Sequence, residues 1–158
     1  MTKNLFLSSV AACVVVLVSG SAATAADNWV GTWKLTVAKS KYSPGPAPQS
    51  QTLKFEATPD GIKLTSDGVD ADGKPMHSEY TAKFDGTDAP WTGNPNADTA
   101  APKRIDAKRY RNTWKKDGKV TVTANAVVSR YGKTLTITQT GTDAEGRAVN
   151  TIAVYDRQ

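Results

Sequence analysis

From Gly31 onward, apolar residues fall at every second position over short runs, and Asp-Gly or other glycine-bearing turns separate the runs. A period of two sends alternate side chains to opposite faces, so each run predicts a half-buried strand and each turn a hairpin. The first strand is predicted over Gly31 to Ala38, with Trp33, Leu35 and Val37 on one face. The second runs from Gln51 to Thr58 with Leu53, Phe55 and Ala57 inward, and the third returns through Ile62, Leu64 and Ser66. A fourth sets Met76, Ser78, Tyr80, Ala82 and Phe84 against His77, Glu79, Thr81 and Lys83. Trp91 and Thr92 form a short strand in a weakly patterned stretch, followed by Lys103 to Ile105 and by Ala107 to Lys116, which puts Tyr110, Asn112 and Trp114 on one face. Lys119 to Arg130, Lys133 to Thr142 and Arg147 to Asp156 complete the set, with Val120, Val122, Ala124, Ala126 and Val128 sharing the inner parity of the first of these.

About ten strands and no stretch of helical periodicity make the fold all-β. Consecutive strands joined by short turns form a meander, and a meander of this length must close or split to bury one face and remove its edges. An antiparallel up-and-down β-barrel of about 8–10 strands is therefore predicted, with a sandwich as the other solution. Between the first two strands, Ser43-Pro44-Gly45-Pro46-Ala47-Pro48 excludes helix and central strand and predicts an extended or ordered loop. Gly68-Val69-Asp70-Ala71-Asp72-Gly73-Lys74 resembles Gly141-Thr142-Asp143-Ala144-Glu145-Gly146-Arg147, which reads as one good turn used twice.

The N-terminus changes the picture. Lys3 is followed by an uncharged apolar run from Leu5 to Val18 and by the small residues Gly20 to Ala26, the layout of a cleavable export signal over residues 1–26. The run is too short to span a bilayer stably. Lipid attachment at Cys13 is the rival reading, disfavoured because Cys13 lies inside the apolar run. Removing 26 of the 158 residues leaves 132, enough for one domain over residues 27–158. One of the 20 basic residues departs with the signal, so 19 basic face 15 acidic side chains, a net charge of about +4. Cys13 is the only cysteine, so the mature chain is expected to have no disulfide, and its destination is expected to be the periplasm or the medium.

The Gly31-Thr32-Trp33-Lys34-Leu35 opening resembles the Gly-x-Trp signature of the calycins, the lipocalins and fatty-acid-binding proteins, and Val154-Tyr155-Asp156-Arg157-Gln158 is similar to the end of the latter group. The span from Gly31 through Ser43-Pro44-Gly45-Pro46 to the C-terminus also resembles a family of exported bacterial lipocalin-like proteins of unknown function. The resemblance implies a barrel with a tryptophan at its base, Trp33 beneath a late arginine such as Arg157, and an interior able to hold a small apolar ligand. Two departures narrow it. The proline-rich connection leaves no room for the helical lid of fatty-acid-binding proteins, and Ala153 stands where their carboxylate-binding arginine would be.

Alternation nominates an inner set of ligand contacts: Phe55, Ser78, Tyr80, Asn112, Trp114, Gln139, Tyr155 and, at the end of its strand, Arg130. An apolar cavity with a few placed polar groups is what a small-molecule site needs; the alternative is that these groups satisfy one another in a solid core. His77 falls on the outer face, and Asp70-x-Asp72-Gly73 lacks the later ligands of a calcium loop, so no metal site and no cofactor are expected. With one histidine, no mature cysteine and no inward pair of carboxylates, no catalytic set is predicted. Lys103, Arg104, Lys108, Arg109, Arg111, Lys115, Lys116 and Lys119 make a basic stretch that could meet an anionic envelope surface or serve as a solvated, edge-protecting face. Nucleic acid is not expected as a partner. The leading reading is an exported lipocalin-like barrel that binds or carries a small hydrophobic or amphipathic molecule; the other is a non-enzymatic envelope interaction protein.

Overall fold

The computed structural model describes residues 27–158, so the predicted signal and Cys13 lie outside the described residues. Ten strands follow one another: β1 (Gly31–Leu35), β2 (Ser50–Thr58), β3 (Gly61–Val69), β4 (Pro75–Lys83), β5 (Ala89–Thr92), β6 (Thr99–Arg104), β7 (Arg109–Lys116), β8 (Lys119–Val128), β9 (Thr134–Thr142) and β10 (Ala148–Arg157). Each pairs antiparallel with its successor, and β10 returns to pair with β1 through Trp33↔Arg157 and Leu35↔Tyr155, closing the barrel. Closure gives every strand two neighbours, so no edge is left to recruit another chain. The only helix among the described residues is a single 3-10 turn, Val37–Lys39. No helix there is long and apolar enough to cross a membrane.

Three predicted core positions are exposed: Ala57, next to the β2–β3 turn, and Val37 and Val120, which fail for reasons of geometry. β1 ends at Leu35, so Val37 sits in the 3-10 turn and is exposed. A bulge between Trp114 and Lys115 makes Trp114 pair with Val122 but Lys115 with Val120, and this slip turns Val120 outward at 59% exposure. Because β1 has five residues and β10 has ten, the upper part of β10 needs another partner. Lys41–Ser43 supplies it: Lys41 and Ile152 exchange backbone hydrogen bonds at 2.8 and 2.7 Å, and Asn150 N–H donates to Ser43 O at 2.7 Å. The proline-rich connection is thus anchored along the barrel wall. The repeated Asp-x-x-Gly turns also match: Asp70 Oδ1 accepts from Asp72 and Lys74 N–H, and Asp143 Oδ1 accepts from Glu145 and Arg147 N–H.

The inward parity is uniform, but side-chain size is not. Near the turns that follow β2, β4, β6 and β8, the inner positions hold Phe55, Ile62, Tyr110 and Leu135, all buried, and they fill that end. Toward the opposite end they become Ser66, Ser78, Gly141 and Thr151. Large side chains at one end and small ones at the other leave the barrel solid below and hollow above.

Candidate functional site

The closed end is built around two tryptophans. Trp33 is fully buried, and its indole Nε1 donates to Trp29 O at 2.7 Å. Arg157 stacks on the Trp33 ring with its guanidinium carbon 4.1 Å from the ring centre. The same guanidinium donates to Val30 O at 2.9 Å, to Gly132 O at 2.6 Å and to Asn28 O. One side chain therefore ties the segment before β1, the β8–β9 turn and the floor tryptophan together, using the planar, multi-donor geometry that lysine lacks. Gly31 makes this possible: a Cβ there would lie 2.6 Å from Arg157 Nη1, and the residue sits at φ 133°. Trp29, also fully buried, packs edge-on or tilted against Phe84 and Tyr110 at 5.3 and 5.6 Å.

Above this floor lies a cavity of about 720 Å³ that opens to solvent between the β1–β2 connection and the β3–β4, β5–β6 and β9–β10 turns. Its size is within the range of small-molecule sites. Leu53, Phe55, Leu64, Ala124 and Ile137 give it an apolar lower surface. One wall carries a ladder of rings, Tyr80 against Trp91 at 5.1 Å and Trp91 against Trp114 at 5.0 Å, both edge-on. The opposite wall carries a hydrogen-bond chain: Tyr155 Oη donates to Gln51 Oε1 at 2.8 Å, and Gln51 Nε2 donates to Ser66 Oγ at 2.9 Å. Beside the ring ladder, Asn112 Oδ1 accepts from Ala101 N–H at 3.0 Å while Asn112 Nδ2 donates to Tyr80 Oη at 3.3 Å. Burial pushes the phenols of Tyr80, Tyr155 and Tyr42 above their ordinary range. The cavity tyrosines are neutral throughout the physiological pH range.

The structure brings seven of the eight predicted contact residues to this cavity: Phe55, Ser78, Tyr80, Asn112, Trp114, Gln139 and Tyr155. Arg130 is a correction. β8 ends at Val128, so Arg130 lies in the closed-end turn, exposed and stacked over Tyr131 at 5.6 Å, away from the cavity. Tyr42, Gln51 and Trp91 also line the cavity. Gln51 shares the alternation of Leu53 and Phe55 and was legible on that ground. Tyr42 was not, because only the pairing of Lys41–Ser43 with β10 orients it. Trp29 precedes the first strand and carries no periodic signal. His77 sits at the rim with Nδ1 2.6 Å from Asp67 Oδ1.

The basic stretch is largely committed. Arg104 pairs with Asp27, Arg109 with Asp106 and Lys115 with Asp88, while Lys108 Nζ donates to Arg130 O and Arg111 Nε to Asn125 Oδ1. Lys103 and Arg111 face each other in register on the outside of β6 and β7.

No protein-family model matches the chain, and no curated protein does. Among solved structures it is similar to the zebrafish ileal bile acid-binding protein complexed with cholic acid, at 11% identity and a TM-score of 0.50, over 83% of this chain and 99% of that one. A biogenic amine-binding protein aligns at 17% identity and a TM-score of 0.48, over 85% of this chain and 67% of that one. A redesigned β-barrel bound to DFHBI aligns at 15% identity and a TM-score of 0.45, over 82% and 95%. The first likeness is one of fold: a ten-stranded, closed, calycin-like barrel.

Proposed function

We propose that the mature chain, exported after removal of residues 1–26, is a lipocalin-like carrier that binds one small hydrophobic or amphipathic molecule inside the barrel. The observation that carries this reading is the cavity of about 720 Å³, closed below by Trp29, Trp33 and Tyr110 and open above, with an apolar lower surface and oriented polar groups on its walls. A solid barrel of this size would place side chains where the cavity is. The contacts proposed for the ligand are Phe55, Ser78, Tyr80, Asn112, Trp114, Gln139 and Tyr155, joined by Tyr42, Gln51 and Trp91.

Titration of the mature protein with the uncharged fluorophore N-phenylnaphthylamine tests it. The expected result is a saturable, single-site rise in probe emission with quenching of protein tryptophan, abolished in Ser78→Phe, whose added ring occupies the cavity, at unchanged folding. Absence of saturable binding, or binding untouched by Ser78→Phe, would overturn the proposal. Export is tested separately by sequencing the N-terminus of protein recovered from the envelope or medium; the expected start is near Asp27.

A second reading, contact with an anionic envelope surface, is supported by the outward pair Lys103 and Arg111. The ion pairs of Arg104, Arg109 and Lys115 weigh against it. Salt-dependent binding to anionic vesicles, lost in a Lys103→Glu, Arg111→Glu variant, would favour it.

A further inference from the structure

Below its rim the cavity has polar groups but no ionic one. Of its charged lining residues, Asp70, Asp72, His77 and Arg147 all belong to the rim. Arg147, the one guanidinium among them, is committed to two carboxylates, 2.7 Å from Asp143 Oδ2 and 2.9 Å from Glu145 Oε2. Asp70 Oδ1 is held by two backbone N–H groups. Below the rim every polar side chain is an amide, a hydroxyl or an indole. An anion placed there would exchange water for a weakly polar site without gaining a cation, which is unfavourable, whereas an uncharged group needs only one complementary hydrogen bond.

The hydrogen-bond directions specify which group. Asn112 is buried, and the backbone N–H of Ala101 in β6 fixes its Oδ1 as the acceptor. Its Nδ2 is therefore the atom facing Tyr80, so the Tyr80 oxygen accepts and its own proton is left over. No protein acceptor takes that proton among the hydrogen bonds of the described residues, although Tyr80 is 3% exposed and lines the cavity. A buried donor without an acceptor is costly, and a ligand oxygen relieves it. The adjoining edge-on rings of Trp91 and Trp114 offer a surface for a flat ring system.

We infer that the ligand is an uncharged, ring-bearing molecule whose carbonyl, ether or hydroxyl oxygen accepts the Tyr80 hydroxyl proton, and that carboxylates and sulfonates of the same shape are excluded. This rests on the proposed ligand-binding role and narrows it. It also sets this chain apart from a barrel that holds an acid through an interior arginine, because no interior position supplies one.

Two pairs of measurements test it. N-phenylnaphthylamine and anilinonaphthalene sulfonate share one scaffold and differ by the sulfonate; signal counts as cavity binding only where Ser78→Phe removes it. The neutral probe is expected to bind at least about tenfold more tightly. The second pair compares Tyr80→Phe with the parent, using Prodan, a naphthyl ketone, beside N-phenylnaphthylamine, which has no carbonyl. Loss of one hydrogen bond is expected to weaken Prodan about fivefold and shift its emission to the blue, with the carbonyl-free probe unchanged. Equal or tighter cavity binding of the sulfonate would overturn the inference and leave the ligand-binding role standing. Equal weakening of both neutral probes by Tyr80→Phe would overturn the donor role of Tyr80. If no probe enters the cavity, the ligand-binding role itself fails.

Discussion

The two ends of this barrel use the same strands and the same inward parity to opposite effect. At the closed end, Trp29, Phe84 and Tyr110 pack ring against ring, and Arg157 stacks on Trp33 while satisfying three backbone carbonyls. At the open end, Ser66, Ser78 and Gly141 occupy equivalent inner positions and a cavity replaces the packing. The wall thins there too, since β5 joins β4 and β6 through only two residue pairs each. Packing is therefore concentrated below and the proposed ligand site lies above, so substitutions at the two ends should separate stability from binding.

The largest expected effect is at the floor. Trp33→Ala removes a fully buried ring and should cost about 3–5 kcal/mol of unfolding free energy, read from the urea midpoint. Arg157→Ala should cost about 2 kcal/mol through the loss of charge-assisted hydrogen bonds and the stacking on Trp33. Arg157→Lys should recover only part of this, because a single ammonium cannot serve Val30, Gly132 and Asn28 together. If either arginine variant matched the parent, the floor would not be the stabilising half.

At the mouth, a Cβ on Gly93 would meet His77 O at 2.1 Å in a residue at φ 77°. Gly93→Ala should cost about 1–2 kcal/mol and raise amide hydrogen exchange in β5 before it does so at the floor. Ser78→Phe should reverse the pattern, changing stability by under about 1 kcal/mol because it fills open space, while abolishing probe binding. A large stability loss from Ser78→Phe would mean that the upper barrel is packed after all.

The smallest effect is that of acid. Asp156 is held below the ordinary carboxylate range by hydrogen bonds from Thr36 and Lys39, Asp85 by Thr87, and Asp106 by the Lys108 backbone N–H and Arg109. Folded values below the unfolded one of about 3.9 give stability that is complete above that pH and lost as pH falls through the folded values. Asp27 works in the opposite sense, since burial raises it despite Arg104; its contribution is present below the unfolded value and lost as pH rises through the folded one. Asp156, Asp85 and Asp106 lie toward the closed end, but Asp143, where burial is outweighed by hydrogen bonds from Arg147 and Glu145, lies at the mouth, so acid should lower the urea midpoint without favouring either end.

Alternation along the chain was sufficient to reveal the strands and most of the inner face, because a period of two reports directly on which side chains share a surface. Seven cavity residues were legible in that way. Arg130 was assigned wrongly because parity continues on paper after a strand has ended, and Val120 because a one-residue bulge reverses the face of the residues on its turn side. The sequence by itself determined an all-β meander and most of its inner face, and its resemblance to the calycins implied a floor of Trp33 with Arg157. Closure of β10 onto β1, the seating of Tyr42 by the proline-rich connection and the direction of the Asn112 to Tyr80 hydrogen bond were decided only in the tertiary structure. Each joins residues far apart in the chain, and local periodicity carries no information about which distant backbone will supply a partner.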